Sequence, residues 1–511
     1  MLRAFVRAHR VSLCLAFGLP LLFGLYTAGL AHNPPGFFID ESAISYNAYL
    51  IAQTGAGESG ERWPLMFQHF TGHHVQYVSA THTYLLAIVF SIFRPSILLA
   101  RLVAAAAVFS AALLLGALGR RISGKTAVGA IVAFIALATP WLFEASRLVV
   151  ETFPFPLFLV LFLLSVYTAH ARRAWRLLDS CKIAVSLSFL SYTYSSGRLI
   201  APLLCLGLLL FVTNRRRFVG VITTMALYAV SLVPLFLFNH HHSGALTNRF
   251  YQVSYLKPSS PFGEILITFL HRCLEDLDPW RWLVVGDANP RHHVPGSLGS
   301  FLIGAMVLSL LGTVMVLIRH RRDRWWLFVL FGLAVSMLPG IITVDPFHTL
   351  RLVAVPVFLC VLAIPGILWL WEDRGKQNGE TVRTKPDYLP RRRIALAVIL
   401  SLTVIQAVYF QWVFHRDGPE RAGYFDAAYK EVFDAAMASG RRPIYLVDAS
   451  GPAYIHALWY ATVEGKSTAH FIHLENQTLP PSGAMVIGSG QPCSSCTVIL
   501  AREPFVLYTV P

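Results

Sequence analysis

Charge is what this sequence has least of. Only 14% of its 511 residues are Asp, Glu, Lys or Arg, against about 25% in soluble globular domains. Hydrophobic residues make up 55%, and the mean hydropathy is +0.56. A soluble globular protein is thereby excluded, and a polytopic membrane protein is what remains. Acidic residues are scarcer than basic ones, 27 against 42, for a formal charge of +15. The basic residues fall in short clusters between apolar spans, the distribution that the positive-inside rule gives cytoplasmic loops, so no nucleic-acid partner is expected. Cysteine is sparse too, at 7 residues. Cys14, Cys181, Cys205 and Cys360 sit in or beside apolar spans as small core residues. Cys493 and Cys496 form one CxxC, expected to close as a local disulfide on an oxidising side. No second pair follows it, so a metal is not indicated.

Apolar runs near 20 residues suffice to cross a bilayer core. The first, Val11 to about Leu30, follows Arg3, Arg7 and Arg10, which places the N-terminus in the cytoplasm and makes the run an uncleaved anchor. Basic clusters at Arg120-Arg121 with Lys125, Arg172-Arg173 with Arg176 and Lys182, Arg215 to Arg217, Arg319 to Arg324, and Arg374 to Arg393 phase the rest. Between them, spans are expected at 97–118, 126–143, 150–169, 182–196, 198–213, 218–238, 298–318, 325–344, 349–371 and 394–414. With the first, that makes about eleven crossings and an external C-terminus. Tyr77 to Phe93 is apolar but short and is expected to lie along the outer face of the bundle. The membrane domain thus covers 1–415, with extracytoplasmic loops at 31–96 and 239–297. Gly375 to Arg391, polar and proline-containing, is a cytoplasmic loop. Residues 416–511 change character: a helical FDAAYKEVFDAAMA and the runs PIYLVDA, GAMVIGSG and CTVILAR predict a small extracytoplasmic α/β domain.

Within this apolar chain the adjacent carboxylates Asp40 and Glu41 stand out, just outside the first span at the start of SAISYNAYLIAQTG. Ionisable groups at the mouth of a bundle are functional candidates; the plainer reading is that Asp40 caps a helix beginning near Ser42. Three further stretches bring polar groups to the same side. PWLFEASRLVVET carries Arg147 and Glu151, four apart and expected on one helix face. SYTYSSGR carries Tyr192, Tyr194 and Arg198, and DPFHTLR carries Asp345, His348 and Arg351. Singly, each arginine is as well explained by snorkelling to lipid headgroups, and Arg147 with Glu151 by a structural ion pair. Together they predict an anion site flanked by a carboxylate. The histidines of the second loop, His240 to His242 and His292-His293, are expected to be a polar lid, because adjacent side chains on one turn point apart.

In their order these motifs resemble the GT-C glycosyltransferases related to protein O-mannosyltransferases and to the aminoarabinose transferase of lipid A. The resemblance covers Asp40-Glu41 with the following helix and Arg62 to Leu65, then Trp141, Arg147 and Glu151, then Tyr192 to Arg198, then Pro346, His348 and Arg351. It implies inverting transfer of a hexosyl or pentosyl unit from a polyprenyl-phosphate sugar to a glycan, lipid or protein acceptor. The site would face outward from a bacterial inner membrane. The implied roles are catalysis by Asp40, Glu41 and Glu151, donor-phosphate binding by Arg147, Arg198 and Arg351, and substrate contact by Tyr192, Tyr194, Asp345 and His348. Glu41 could instead orient the acceptor or help hold an optional cation; no cofactor is required. One departure matters: TGHHVQYV stands where relatives carry a GDYKPP-like segment, so His73 or His74 replaces a permanent cation expected at the phosphate. The alternative reading is a lipid or polysaccharide transporter or flippase without transferase activity. Such proteins carry mid-membrane charges and inverted repeats, and neither is evident here.

Overall fold

The computed structural model describes residues 10–70, 76–257, 259–371, 389–448, 451–474 and 478–511. His73, His74 and most of the loop from Gly375 lie outside the described residues.

Most of the chain is helix. Each expected span corresponds to one: α1 (Arg10–Tyr26) opens the chain, and α4 (Ile97–Ser123) shows how the sequence bounds them. Ser96 Oγ accepts the Leu99 N–H at 3.1 Å to cap its start, and Gly124 at φ 69° ends it after Arg120 and Arg121. Serine supplies the missing acceptor, and glycine takes the left-handed turn without a Cβ clash. At 27 residues and about 1.5 Å each, α4 is long enough to span a bilayer. Four stretches among the described residues are long and apolar enough to cross a membrane by length and composition: Ile97–Ser123, Arg215–His241, Arg324–Ile341 and Arg391–Phe425. The other apolar helices run 10–17 residues.

The shortening has a local cause. The span expected over 126–143 ends at Ala138, because Pro140 lacks an N–H and keeps Thr139 extended (φ −66°, ψ 122°). A six-residue helix, Pro140–Ala145, follows. The next long helix begins only at Phe155, beyond Pro154. Residues 146–154 between them are turns. The same happens before Val355, where turns replace the first residues of the span expected from 349. These breaks occur at the end of the bundle where the polar groups gather. Elsewhere the helices approach closely. A Cβ on Gly116 would sit 2.8 Å from both Ala133 Cβ and the Gly129 carbonyl, so α4 and α5 (Thr126–Ala138) meet through small residues as membrane helices do.

The first loop builds α2 (Ile39–Thr54), a two-stranded hairpin β1 (Met66–Gln68) with β2 (Tyr77–Ser79), and α3 (Thr81–Phe90). The apolar Tyr77 to Phe93 stretch is thus part strand; its ten-residue helix spans about 15 Å, too short to cross. The second loop is more structured than a lid. Its α13 (Phe262–Asp276) turns Ile267, Leu270 and Leu274 outward while Arg272 and Asp276 are buried, the pattern of a helix resting in a membrane interface.

After the long α17 (Leu389–Asp417) come α18 (Tyr429–Ala438), α19 (Tyr454–Glu464) and a five-stranded sheet ordered β4-β3-β5-β7-β6. β3 (Ile444–Asp448) pairs in parallel with β4 (Phe471–Leu474) and β5 (Met485–Ser489). β7 (Phe505–Thr509) is antiparallel to β5 and to β6 (Thr497–Arg502). Cys493 and Cys496 are joined by a disulfide. This unit does not stand apart. Phe37 stacks on Trp459 at 5.5 Å and Phe90 at 6.1 Å, and one apolar core runs from α2, α3 and α4 into α18, α19 and the sheet. Each large side chain so buried contributes roughly 1.5–3 kcal/mol.

Candidate active site

α2 begins at Ile39 rather than Ser42, which puts Asp40 and Glu41 inside its first turn. The turn separates the two carboxylates. Asp40 is not the cap: the exposed N–H groups of the turn go to Glu41, which accepts from Phe38 N–H at 3.0 Å, and to Asp426, which accepts from Ile39 N–H at 3.1 Å. Gly36, at φ 70°, lets the chain pass against the backbone of Phe425 and Ala427, where a Cβ would collide. Glu41 is fully buried and saturated. It receives Arg101 Nε at 3.2 Å and Nη2 at 3.0 Å, and Val149 N–H at 3.1 Å. A carboxylate with every lone pair engaged holds structure and has nothing left for an acceptor or a cation.

Asp40, one residue earlier, points the other way, into a cavity of about 590 Å³. Its side chain is 40% exposed and bonds His69 Nε2 at 3.0 Å. Burial raises the Asp40 pKa, but His69, Arg291 and Arg249 outweigh it and hold the carboxyl below the usual range. Glu151 is the second carboxylate on the cavity wall; its Oε1 accepts Ser79 N–H at 2.7 Å. Burial pushes its pKa up against the opposing pull of Arg198 and the Ser79 N–H.

Four arginines line the same space: Arg198, Arg249, Arg291 and Arg351. Arg198 is held loosely, by the Leu246 carbonyl at 3.4 Å and Ser79 Oγ at 3.5 Å, and its Nε has no partner among the described residues. Arg351 is fixed by Thr343 Oγ1 at 2.9 Å and by Asp345 at 2.7 Å. Arg291 lies over the Phe38 ring at 4.1 Å. An excess of guanidinium groups over carboxylates around one cavity suits a phosphate, which takes paired N–H donors from a planar fork.

Tyr194 and His348 also line the cavity. Burial, His292 and Arg351 press the His348 pKa well down, leaving a neutral imidazole. Asp345 is not on the wall and reaches the site through Arg351. Two expected residues are elsewhere. Tyr192 gives its hydroxyl to the Ser231 carbonyl at 2.7 Å, between helices. Arg147 is 1% exposed, bonded to the Tyr26 carbonyl at 2.8 Å and packed on Phe143 and Phe414 at 4.1 and 5.1 Å. The four-residue spacing that paired Arg147 with Glu151 fails because 146–154 is not helical.

Sequence reasoning missed His69, Arg249 and Arg291. All three lie in irregular or short elements of the two loops, where no periodicity gives a side chain's direction; arginines inside a loop already marked as polar were the only signal. Asp287, His292 and His348 bring one ligating atom each within 4.8 Å of one another. His292 and His293 do point apart: His292 Nδ1 lies 3.0 Å from Asp287 and His293 Nδ1 2.6 Å from Glu144.

Residues 79–241 match the family described as dolichyl-phosphate-mannose-protein mannosyltransferase. In fold, the chain is similar to ArnT from Cupriavidus metallidurans in the apo state, with a TM-score of 0.61 at 13% identity over 98% of both chains. It is similar also to that protein bound to undecaprenyl phosphate, with a TM-score of 0.58 at 12% identity over 96% of this chain and 98% of that one. No curated protein matches the sequence. The family match thus lies within residues 79–241, and the likeness to the two solved structures extends a shared fold over nearly the whole chain.

Proposed function

We propose, starting from the GT-C fold and the family match, that this protein is an inverting glycosyltransferase drawing on a polyprenyl-phosphate sugar. The transferred unit is a hexosyl or pentosyl group, the acceptor a glycan, lipid or protein hydroxyl, and the site opens on the extracytoplasmic face of a bacterial inner membrane. The observation that carries this reading is one cavity lined by the carboxylate of Asp40 together with the arginines Arg198, Arg249, Arg291 and Arg351.

In the proposed reaction the donor phosphate lies against Arg198 and Arg351, with the prenyl chain running down the bundle. Asp40 accepts the proton of the acceptor hydroxyl as its oxygen bonds to the anomeric carbon. The bond from that carbon to the phosphate oxygen breaks, and polyprenyl phosphate leaves with the electron pair. A single displacement inverts the anomeric centre. His69, with Arg291 and Arg249, holds the Asp40 pKa down, and the arginine fork stabilises charge developing on the leaving phosphate. Glu151 is the next candidate for the base, and Tyr194 for contact with the sugar. No cofactor is required by these steps.

The test is incubation of the purified protein in liposomes with radiolabelled polyprenyl-phosphate sugars and endogenous acceptor extracts. Transfer from at least one donor, blocked by excess undecaprenyl phosphate, is the expected result. Movement of the lipid between leaflets with no transfer from any donor would favour the flippase reading instead.

A further inference from the structure

We propose that Asp287, His292 and His348 form a site for a divalent transition-metal ion on the wall of the cavity. Two loops far apart in sequence supply it, one carrying Asp287 and His292 and the other His348, and one ligating atom of each lies within 4.8 Å of the others. A metal held at about 2.0–2.2 Å by nitrogen and oxygen donors needs its ligand atoms roughly 3–4 Å apart. The Asp287 Oδ2 and His292 Nδ1 pair, at 3.0 Å, already has that spacing. The His292 and His348 ring centroids stand 4.6 Å apart, with the ring planes inclined by 48°.

The surroundings fix the carboxylate as a ligand's second shell does. Asp287 is 8% exposed; its Oδ1 accepts the Asn289 N–H at 2.8 Å, and its Oδ2 the Thr349 N–H at 2.8 Å and hydroxyl at 2.7 Å. A buried aspartate oriented by three protein donors keeps its place whether a proton or a metal bridges it to His292. His292 and His348 line the cavity, so the remaining coordination positions open toward it. Three protein ligands with open positions is the arrangement of metal sites that bind a further molecule, whereas structural sites are closed.

The facing charges bear on affinity. Arg291 and Arg351 are the nearby cations on the wall; Arg351 is neutralised by Asp345 at 2.7 Å, and Arg291 is engaged over the Phe38 ring. Asp40 lines the same space with a negative charge. Two imidazoles and one carboxylate select borderline ions such as Zn²⁺, Co²⁺ or Ni²⁺ over Mg²⁺ and Ca²⁺, which favour all-oxygen sets. The site needs no assumption about sugar transfer, because it is tested on resting protein.

The full-length protein, with any histidine tag removed and metal stripped by chelation, is titrated with Co²⁺ and followed by its d–d absorption. One equivalent should bind and be displaced by Zn²⁺ but not by Mg²⁺. His292→Ala and His348→Ala should each weaken binding by on the order of 100-fold or more, while the double variant His240→Ala/His241→Ala, at exposed positions of the same loop, should bind as the parent does. Should His292→Ala not fold, His348→Ala, on a separate turn, decides alone. Absence of stoichiometric Co²⁺ binding, or equal binding in the His348 variant, would overturn the proposal and leave Asp287 and His292 as a hydrogen-bonded wall.

Discussion

Asp40 and Glu41 are adjacent and chemically alike, yet their environments demand opposite responses to the same loss of charge. In Glu41→Gln the carboxylate that receives Arg101 Nε and Nη2 and the N–H groups of Phe38 and Val149 becomes an amide. One of its atoms is then a donor facing donors, and Arg101, itself 0% exposed, keeps a buried positive charge without its partner. Removing one member of a buried pair typically costs roughly 3–5 kcal/mol. The two carbonyls that Arg101 also reaches, Pro34 at 2.6 Å and Gly36 at 2.9 Å, soften that loss without neutralising it. Asp40→Asn leaves the helix caps untouched, since those belong to Glu41 and Asp426, and an amide can still hydrogen-bond His69. Its stability cost should stay within about 1 kcal/mol, while loss of a general base should lower turnover by on the order of 10²–10⁴. The assay pairs thermal unfolding in detergent with initial rates of sugar transfer at matched concentration. Expected are a lowered unfolding midpoint for Glu41→Gln only, and a collapsed rate at near-parental stability for Asp40→Asn. If Asp40→Asn works within a few-fold of the parent, the base is elsewhere; if Glu41→Gln melts like the parent, the buried pair is not what holds the turn.

Arg198→Lys and Arg351→Lys should each raise the KM for donor about tenfold or more, because the planar fork is lost while charge is kept, whereas Arg147→Lys should leave that KM alone; donor saturation curves for the three variants decide it, and an Arg147→Lys effect equal to the others would mean that Arg147 reaches the phosphate. A second expectation concerns pH. Burial lowers the His293 pKa, but Glu144 at 2.6 Å and the Leu298 carbonyl raise it more, for a net upward shift. The stability this pair contributes is therefore fully present below about pH 6.5 and lost as pH rises through the raised value. The unfolding midpoint should fall over that rise in the parent and stay flatter in His293→Gln; identical slopes would refute the assignment.

The order of helices was legible because apolar length and basic clusters are properties of the linear chain. So was the convergence of Asp40, Glu151, Tyr194, Arg198, His348 and Arg351 on one cavity, since each lies where a span must end. What failed was direction. Arg147 was placed by helical spacing in a stretch, 146–154, that is not helical, and it turns toward Tyr26 instead. Tyr192, two residues from Tyr194, ended against Ser231 because the helix runs on to Thr193 before the chain bends. Arg249 and Arg291 come from loop segments whose register only tertiary packing decides. The expected division at 415 and 416 missed the shared core as well: Phe37 and Trp459 are each ordinary apolar residues until they stack.

The turn that carries Asp40 is finished by the far end of the chain. Asp426 takes the Ile39 N–H across 387 residues, and His456 takes the Ser42 hydroxyl at 2.8 Å across 414. At roughly 5–20 residues per second, synthesis delivers Asp426 some 20–80 s after Ile39 has emerged. Through that interval the membrane helices can insert one after another while the first turn of α2 still waits for its partner. A chain stopped before Asp426 thus has most of its apolar spans in place while the Ile39 N–H and the Ser42 hydroxyl lack the partners that Asp426 and His456 supply.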